Sequence, residues 1–102
     1  MLKNNVVDTL AERHGQYGHY TYVSKTSQLL KRTIRESPNY KTMPAYMNES
    51  LDMICNKLAR ILCGNYFLRD SWLDIEGYAK LVTDELDKLD NLNAEKVSEL
   101  SD

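Results

Sequence analysis

The sequence predicts an all-α protein, a small bundle of about four helices completed by oligomerisation. Three observations predict it. Apolar residues recur at spacings of three, four and seven along successive stretches, the helical period rather than the strand period. Pro38, Pro44, Gly15, Gly18 and Gly64 fall between those stretches, where breaks belong. At 102 residues the chain makes one domain, and helices this short leave Tyr, Met and Leu side chains that one thin bundle does not cover. A homo-oligomer is therefore expected. The domain is assigned to residues 1–90 and a polar, acidic tail to residues 91–102.

Composition narrows the function. Apolar residues make up 42% and charged residues 27%, as in an ordinary globular chain. No apolar run approaches the roughly 18 residues that suggest a membrane span, and no apolar segment follows Lys3 as in a signal peptide. The expected location is the cytoplasm, with no membrane partner. Cys55 and Cys63 lie eight positions apart on one predicted helix, about 12 Å at 1.5 Å per residue, so they cannot form an intrachain disulfide. With two histidines and no Cys-x-x-Cys, a structural zinc site is not expected. The net charge of −2 hides a split. Residues 1–69 carry ten Lys/Arg against five Asp/Glu, and residues 70–102 carry three against ten. Either the halves attract each other, within the fold or across an oligomer, or the basic half holds an anionic ligand. Bulk nucleic-acid binding is disfavoured, because it normally needs an overall basic domain.

The elements follow in order. Residues 5–14 form a short helix, with Val6, Val7 and Leu10 apolar. Gly15-Gln16-Tyr17-Gly18 then breaks it, either as a helix–helix turn with Tyr17 in the core or as a loop with exposed backbone. Residues 20–37 are helical, with Val23, Thr26, Leu30 and Ile34 buried, joined by Leu29 and Thr33, and with Lys25, Lys31, Arg32 and Arg35 on the other side. Pro38 ends that helix by displacing the residue before it from the α region. The next helix opens at Pro44 and closes at Gly64, a favoured C-terminal cap. Its Met47, Leu51, Ile54, Leu58, Ile61 and Leu62 share one side. Glu49, Asp52, Asn56 and Arg60 line the opposite side with Lys57 on the flank, forming either a wet face or a site facing a groove. The last helix covers residues 71–89 and buries Ile75, Tyr78, Ala79, Val82, Leu86 and Leu89. Gly77 inside it costs about 1 kcal/mol relative to Ala, which suggests close approach by another helix or a ligand. Beyond residue 89 the chain reads as a weak, frayed helix at best.

Two acids at the start of the last helix allow two readings. Ser71-x-x-Asp74 fits a helix-start box, with Asp70 adding charge at the positive end of the dipole. Alternatively Asp70 and Asp74 face Glu49 and Asp52 across paired antiparallel helices, and the four carboxylates hold Mg²⁺.

Three motifs carry a resemblance. Arg13-x-x-x-Tyr17-Gly18-x-Tyr20, Lys57-Leu58-Ala59-Arg60 and Asp70-Ser71-Trp72-x-Asp74-Ile75-x-Gly77-Tyr78-Ala79 resemble a family of small phage-encoded domains of unknown function, over residues 11–83. That family is distantly similar to the all-α MazG-like nucleotide pyrophosphohydrolases, which place acids on two paired helices around Mg²⁺. The chain departs from the latter pattern. Only Glu49-x-x-Asp52 stands for the tandem-acid motif, and Asp70 and Asp74 are four apart rather than three. Lys57 and Arg60 sit where metal ligands would dominate, and cations there suit direct phosphate binding.

The resemblance implies a small phage-type protein that captures a nucleotide, such as a host immune signal of the cyclic dinucleotide type, as a sponge that counters host defence. Arg13, Lys57 and Arg60 would take phosphates; Tyr17, Tyr20, Tyr66 or Trp72 would stack on bases, with Gly18 and Asp74 at the same site. The alternatives are a Mg²⁺-dependent pyrophosphohydrolase built on Glu49, Asp52, Asp70 and Asp74, and a regulator that binds a host protein.

Overall fold

The computed structural model describes the backbone of residues 2–101 and the side chains of residues 6–100. It contains four helices, α1 (Leu2–Tyr17), α2 (Tyr20–Arg35), α3 (Ala45–Cys63) and α4 (Arg69–Ser101), and no strand among the described residues. The all-α class and the helix count are as the periodicity predicts.

Helix α3 is the centre. It packs along α2 on one side and α4 on the other, while α1 touches only α2 and α3. The closest packing rests on small side chains, with Ser27 of α2, Ser50, Cys55 and Ala59 of α3 and Ser71 of α4 all buried. Among the described residues Ile61 is the one large apolar side chain that is buried. Small residues let the backbones approach, but they bury little apolar area per residue. The shape follows from this. The radius of gyration is 19.2 Å, against about 13 Å for a compact chain of this length.

Several expected boundaries move. The first helix runs straight through Gly15, because a single glycine costs only about 1 kcal/mol and no tertiary contact opposes continuation. The chain breaks at Gly18 instead, the one described residue with positive φ (89°). Pro44 is the N-cap of α3, in extended conformation, rather than its first helical residue. Gly64 follows Cys63 at φ −128°, so it is not a left-handed cap. Its role is steric. A Cβ on Gly64 would overlap the backbone of Gln16 and Tyr17, and a Cβ on Gly18 would overlap the backbone of Cys63. The two glycines interlock the α1–α2 turn with the end of α3, and the Asn65 N–H donates to the Gln16 carbonyl at 2.9 Å to close the contact.

The side-chain faces also shift. On α2, Leu29 is 57% exposed and Ser27 is the buried contact, so the packed stripe is centred on a small polar residue rather than on the leucines. On α3, the line expected as a wet face is in large part covered. Asp52, Asn56, Lys57 and Arg60 are all partly buried, whereas Leu62, expected inside, is 66% exposed. A central helix flanked on two sides has no single wet face.

Helix α4 starts at Arg69 and continues unbroken to Ser101. Residues 90–101 contain neither Gly nor Pro, and their Leu, Ala, Glu and Lys are good helix formers. Ile75, Tyr78, Val82 and Leu86 are half-buried as expected, Ala79 is exposed, and Leu89 is already 50% exposed. Gly77 faces open space, where an added Cβ would meet no other atom, so the expected close approach does not occur.

Candidate functional site

The interlocked glycines hold the end of α1 over α2 and α3, and a cleft of about 480 Å³ opens between the three helices. Six of the nine residues predicted to bind ligand line it: Arg13 and Tyr17 from α1, Gly18 from the turn, Tyr20 from α2, and Lys57 and Arg60 from α3. They are brought together by the turn at Gly18, where the end of α1 meets the start of α2, and by the last two turns of α3 beneath it.

Tyr17 organises the cations. The Arg60 guanidinium carbon lies 4.5 Å from the centre of its ring and the Arg13 carbon 5.6 Å away. Both distances suit cation–π attraction, and guanidinium groups keep their hydrogen-bond donors free at the edges when they stack. Asn56 forms part of the floor, its Oδ1 accepting from the buried Ser27 hydroxyl at 2.9 Å. Beside this polar floor, Thr26 meets Cys63 at 3.4 Å between Oγ1 and Sγ.

Sequence reasoning missed five polar members, His14, Ser24, Ser27, Gln28 and Lys31. Lys31 lines the cleft, although periodicity groups it with the outer basic face of α2. Asn56 also lines it. The available signal is spacing: Ser24, Ser27 and Lys31 recur at three and four, so they share one face of α2. Among the described lining residues there are four cations, Arg13, Lys31, Lys57 and Arg60, and no carboxylate.

Trp72 and Asp74 are not in the cleft lining. Trp72 belongs to a second, shallow hollow with Tyr66, Phe67 and Arg69, and its indole N–H donates to the Tyr66 carbonyl at 2.9 Å. This cluster tethers the α3–α4 loop to α4, so Tyr66 and Trp72, expected as base-stackers, lie apart from the cations. Asp74 reaches the cleft only through Lys57, whose Nζ lies 3.0 Å from Asp74 Oδ2. The lysine side chain is 13% exposed and the aspartate 48%. This cross-helix pair replaces the helix-start box. With α4 beginning at Arg69, Ser71 is inside the first turn and buried, and Asp74 lies beyond the positions where orphan N–H groups need a partner. Asp70 does lie in the first turn, as the dipole reading expects.

The four-carboxylate arrangement is not formed. Lys57 against Asp74 fixes the antiparallel register of α3 and α4, which sets Asp70 beside the last turn of α3. Glu49 then lies about 18 Å further along at roughly 1.5 Å per residue. Accordingly no group of three or more His, Cys, Asp or Glu among the described residues is placed to hold a metal ion. Asp52 and Asn48, one turn apart on α3, each keep one buried oxygen without a hydrogen-bond partner, but no further His, Cys, Asp or Glu joins them in a metal-binding group among the described residues.

Cys55 is a packing residue. Burial, and secondarily the negative charge of Asp52, push its thiol above the usual range. It is thus held as the neutral thiol near pH 7, the unreactive form. Cys63 is also free, and no disulfide joins the two.

No protein-family model matches the chain, and no curated protein and no solved structure is significantly similar to it. The functional reading therefore rests on the cleft itself.

Proposed function

We propose that the protein binds a nucleotide, or another ligand joining phosphate to an aromatic group, in the cleft between α1, α2 and α3. One observation carries this reading: four cations and no carboxylate converge on one tyrosine-walled cavity. In such a cleft an anion gains charge-assisted hydrogen bonds from two arginine forks and Lys31, and shares Lys57 with Asp74. Tyr20, 78% exposed at the rim, offers a free ring face for a base, while Tyr17 is already occupied by guanidinium groups. The absence of carboxylates from the described lining favours capture over metal-assisted hydrolysis.

The phage-type resemblance makes host signalling nucleotides, cyclic dinucleotides among them, the first ligands to test. Purified protein is incubated with nucleoside triphosphates and cyclic dinucleotides, with Mg²⁺ or with EDTA, and the ligand is chromatographed before and after heat denaturation. The expected result is intact nucleotide retained in both conditions and released only on heating. Mg²⁺-dependent appearance of monophosphate would establish hydrolysis instead. Retention of no nucleotide at all would leave a host protein as the partner.

A further inference from the structure

Among the described residues, the apolar side chains of the distal part of α4 are not covered by any other helix. The Lys57–Asp74 register sets Ala45, the first residue of α3, level with Leu86, so residues 87–101 run past α3 for about 22 Å at roughly 1.5 Å per residue. Burial changes at that point: Leu86 is half-buried, and residues 87–100 are all exposed. The apolar stripe continues there, interrupted by Asn93 and Lys96. At about 100° per residue, Ile75, Val82, Leu86, Leu89 and Leu100 share one line, with Leu92 and Val97 on its two edges. In the overhang, Leu89, Leu92, Val97 and Leu100 are 50%, 55%, 65% and 86% exposed. A lone helical segment of this length is at the limit of stability in water.

We infer that this overhang is a dimerisation surface, on which the same segment of a second copy lies antiparallel. The pattern is self-complementary. Setting Leu89 opposite Leu100 of the second copy also sets Leu92 opposite Val97 and Asn93 opposite Lys96, and the two-fold axis repeats each match. The flanks agree: in this register Lys88 and Glu99 lie on the same side of the stripe, so Lys88 of each copy meets Glu99 of the other. Lys88 now pairs with Glu85 at 2.9 Å, with its side chain 71% exposed. An exposed pair of that kind is weak and easily exchanged. The chain as a whole exposes 8110 Å², about 2,200 Å² more than the roughly 5,900 Å² of a compact monomer of its mass, an excess to which both α1 and the overhang of α4 contribute.

The test is solution mass by light scattering, combined with charge exchange. Wild-type protein is expected at twice the chain mass at micromolar concentration. Leu92→Glu is expected at the single-chain mass, with the near-ultraviolet signal of Trp72 unchanged, because Trp72 sits at the other end of α4. Lys88→Glu and Glu99→Lys each weaken the homodimer. Mixed together they form a heterodimer in preference to either homodimer, because one chain then carries two acids and the other two lysines. Residues 88 and 99 lie about 16 Å apart on one helix, so this rescue cannot come from within a chain. A wild-type monomer, an undiminished Leu92→Glu dimer, or the lack of a preferred heterodimer would each overturn the inference. The last two results would direct attention to the basic face of α2 or to a different protein as the occupant.

Discussion

The two ends of α3 are built differently. At its C-terminal end, two loop glycines interlock, the α1–α2 turn is bonded to the chain beyond Gly64, and cations from three helices converge on one cleft. At its N-terminal end α3 is tied to the loop before it, with Asn48 Nδ2 donating to the Tyr40 carbonyl at 3.2 Å, and α4 continues past it with an uncovered apolar stripe. Both ends are made from amphipathic helices of similar composition. The difference lies in whether a loop brings backbones into contact. Close backbone approach fixes the relative position of three helices, and fixed helices hold side chains from separate stretches at one place. Away from that contact, both the first part of α1, where Val6, Val7 and Leu10 are exposed, and the end of α4 keep apolar side chains uncovered.

The largest expected effect comes from breaking the ordered end. Gly18→Ala forces an L side chain into positive φ and onto the Cys63 backbone, so stability should fall by at least about 2 kcal/mol in chemical denaturation. Gly64→Ala should behave alike. Gly77→Ala is the control, since that glycine lies in helical sequence and faces open space.

Next comes the cleft. Arg60→Ala removes a guanidinium from both Tyr17 and the ligand, and affinity for a phosphate-bearing ligand should fall about 10- to 100-fold by calorimetry. Folding should be altered much less than by Gly18→Ala. Equal losses of stability in the two variants would mean that Arg60 is chiefly structural.

The smaller effects sharpen the contrast at α4. Gly77→Ala should raise stability by about 1 kcal/mol, because a helix-interior glycine is replaced with no contact disturbed. Asp74→Asn removes the charge that holds Lys57. The pair is half-exposed on the aspartate side, so the stability change should be below about 1 kcal/mol. Ligand should still bind, because Lys57 remains in the cleft. Loss of binding in Asp74→Asn would restore the acids to the site.

Much of the fold is legible in the sequence. Helical periodicity marks α2 and α3 closely, and Pro38 and Pro44 bracket the loop between them. Part of the candidate cleft is legible too, because Arg13, Tyr17, Gly18, Tyr20, Lys57 and Arg60, which line it, stand in short motifs. What cannot be read is rotation. A helical projection gives the faces of one helix but not which face its neighbours cover, so it puts Lys31 and Asn56 on outer faces and Leu62 inside. Ser27 and Ser71, the buried contacts, look like surface residues in sequence. The acids mislead for a related reason. Ser71-x-x-Asp74 has capping spacing, and only the actual start at Arg69 shows that the serine packs and the aspartate holds a lysine.

The most direct test of the central claim is amide chemical-shift mapping during titration with a nucleotide that the protein retains. The cleft account predicts perturbations centred on residues 13–31 and 53–60, unchanged by EDTA, with Trp72 unaffected. Perturbations centred on Glu49, Asp52, Asp70 and Asp74, and dependent on Mg²⁺, would contradict it.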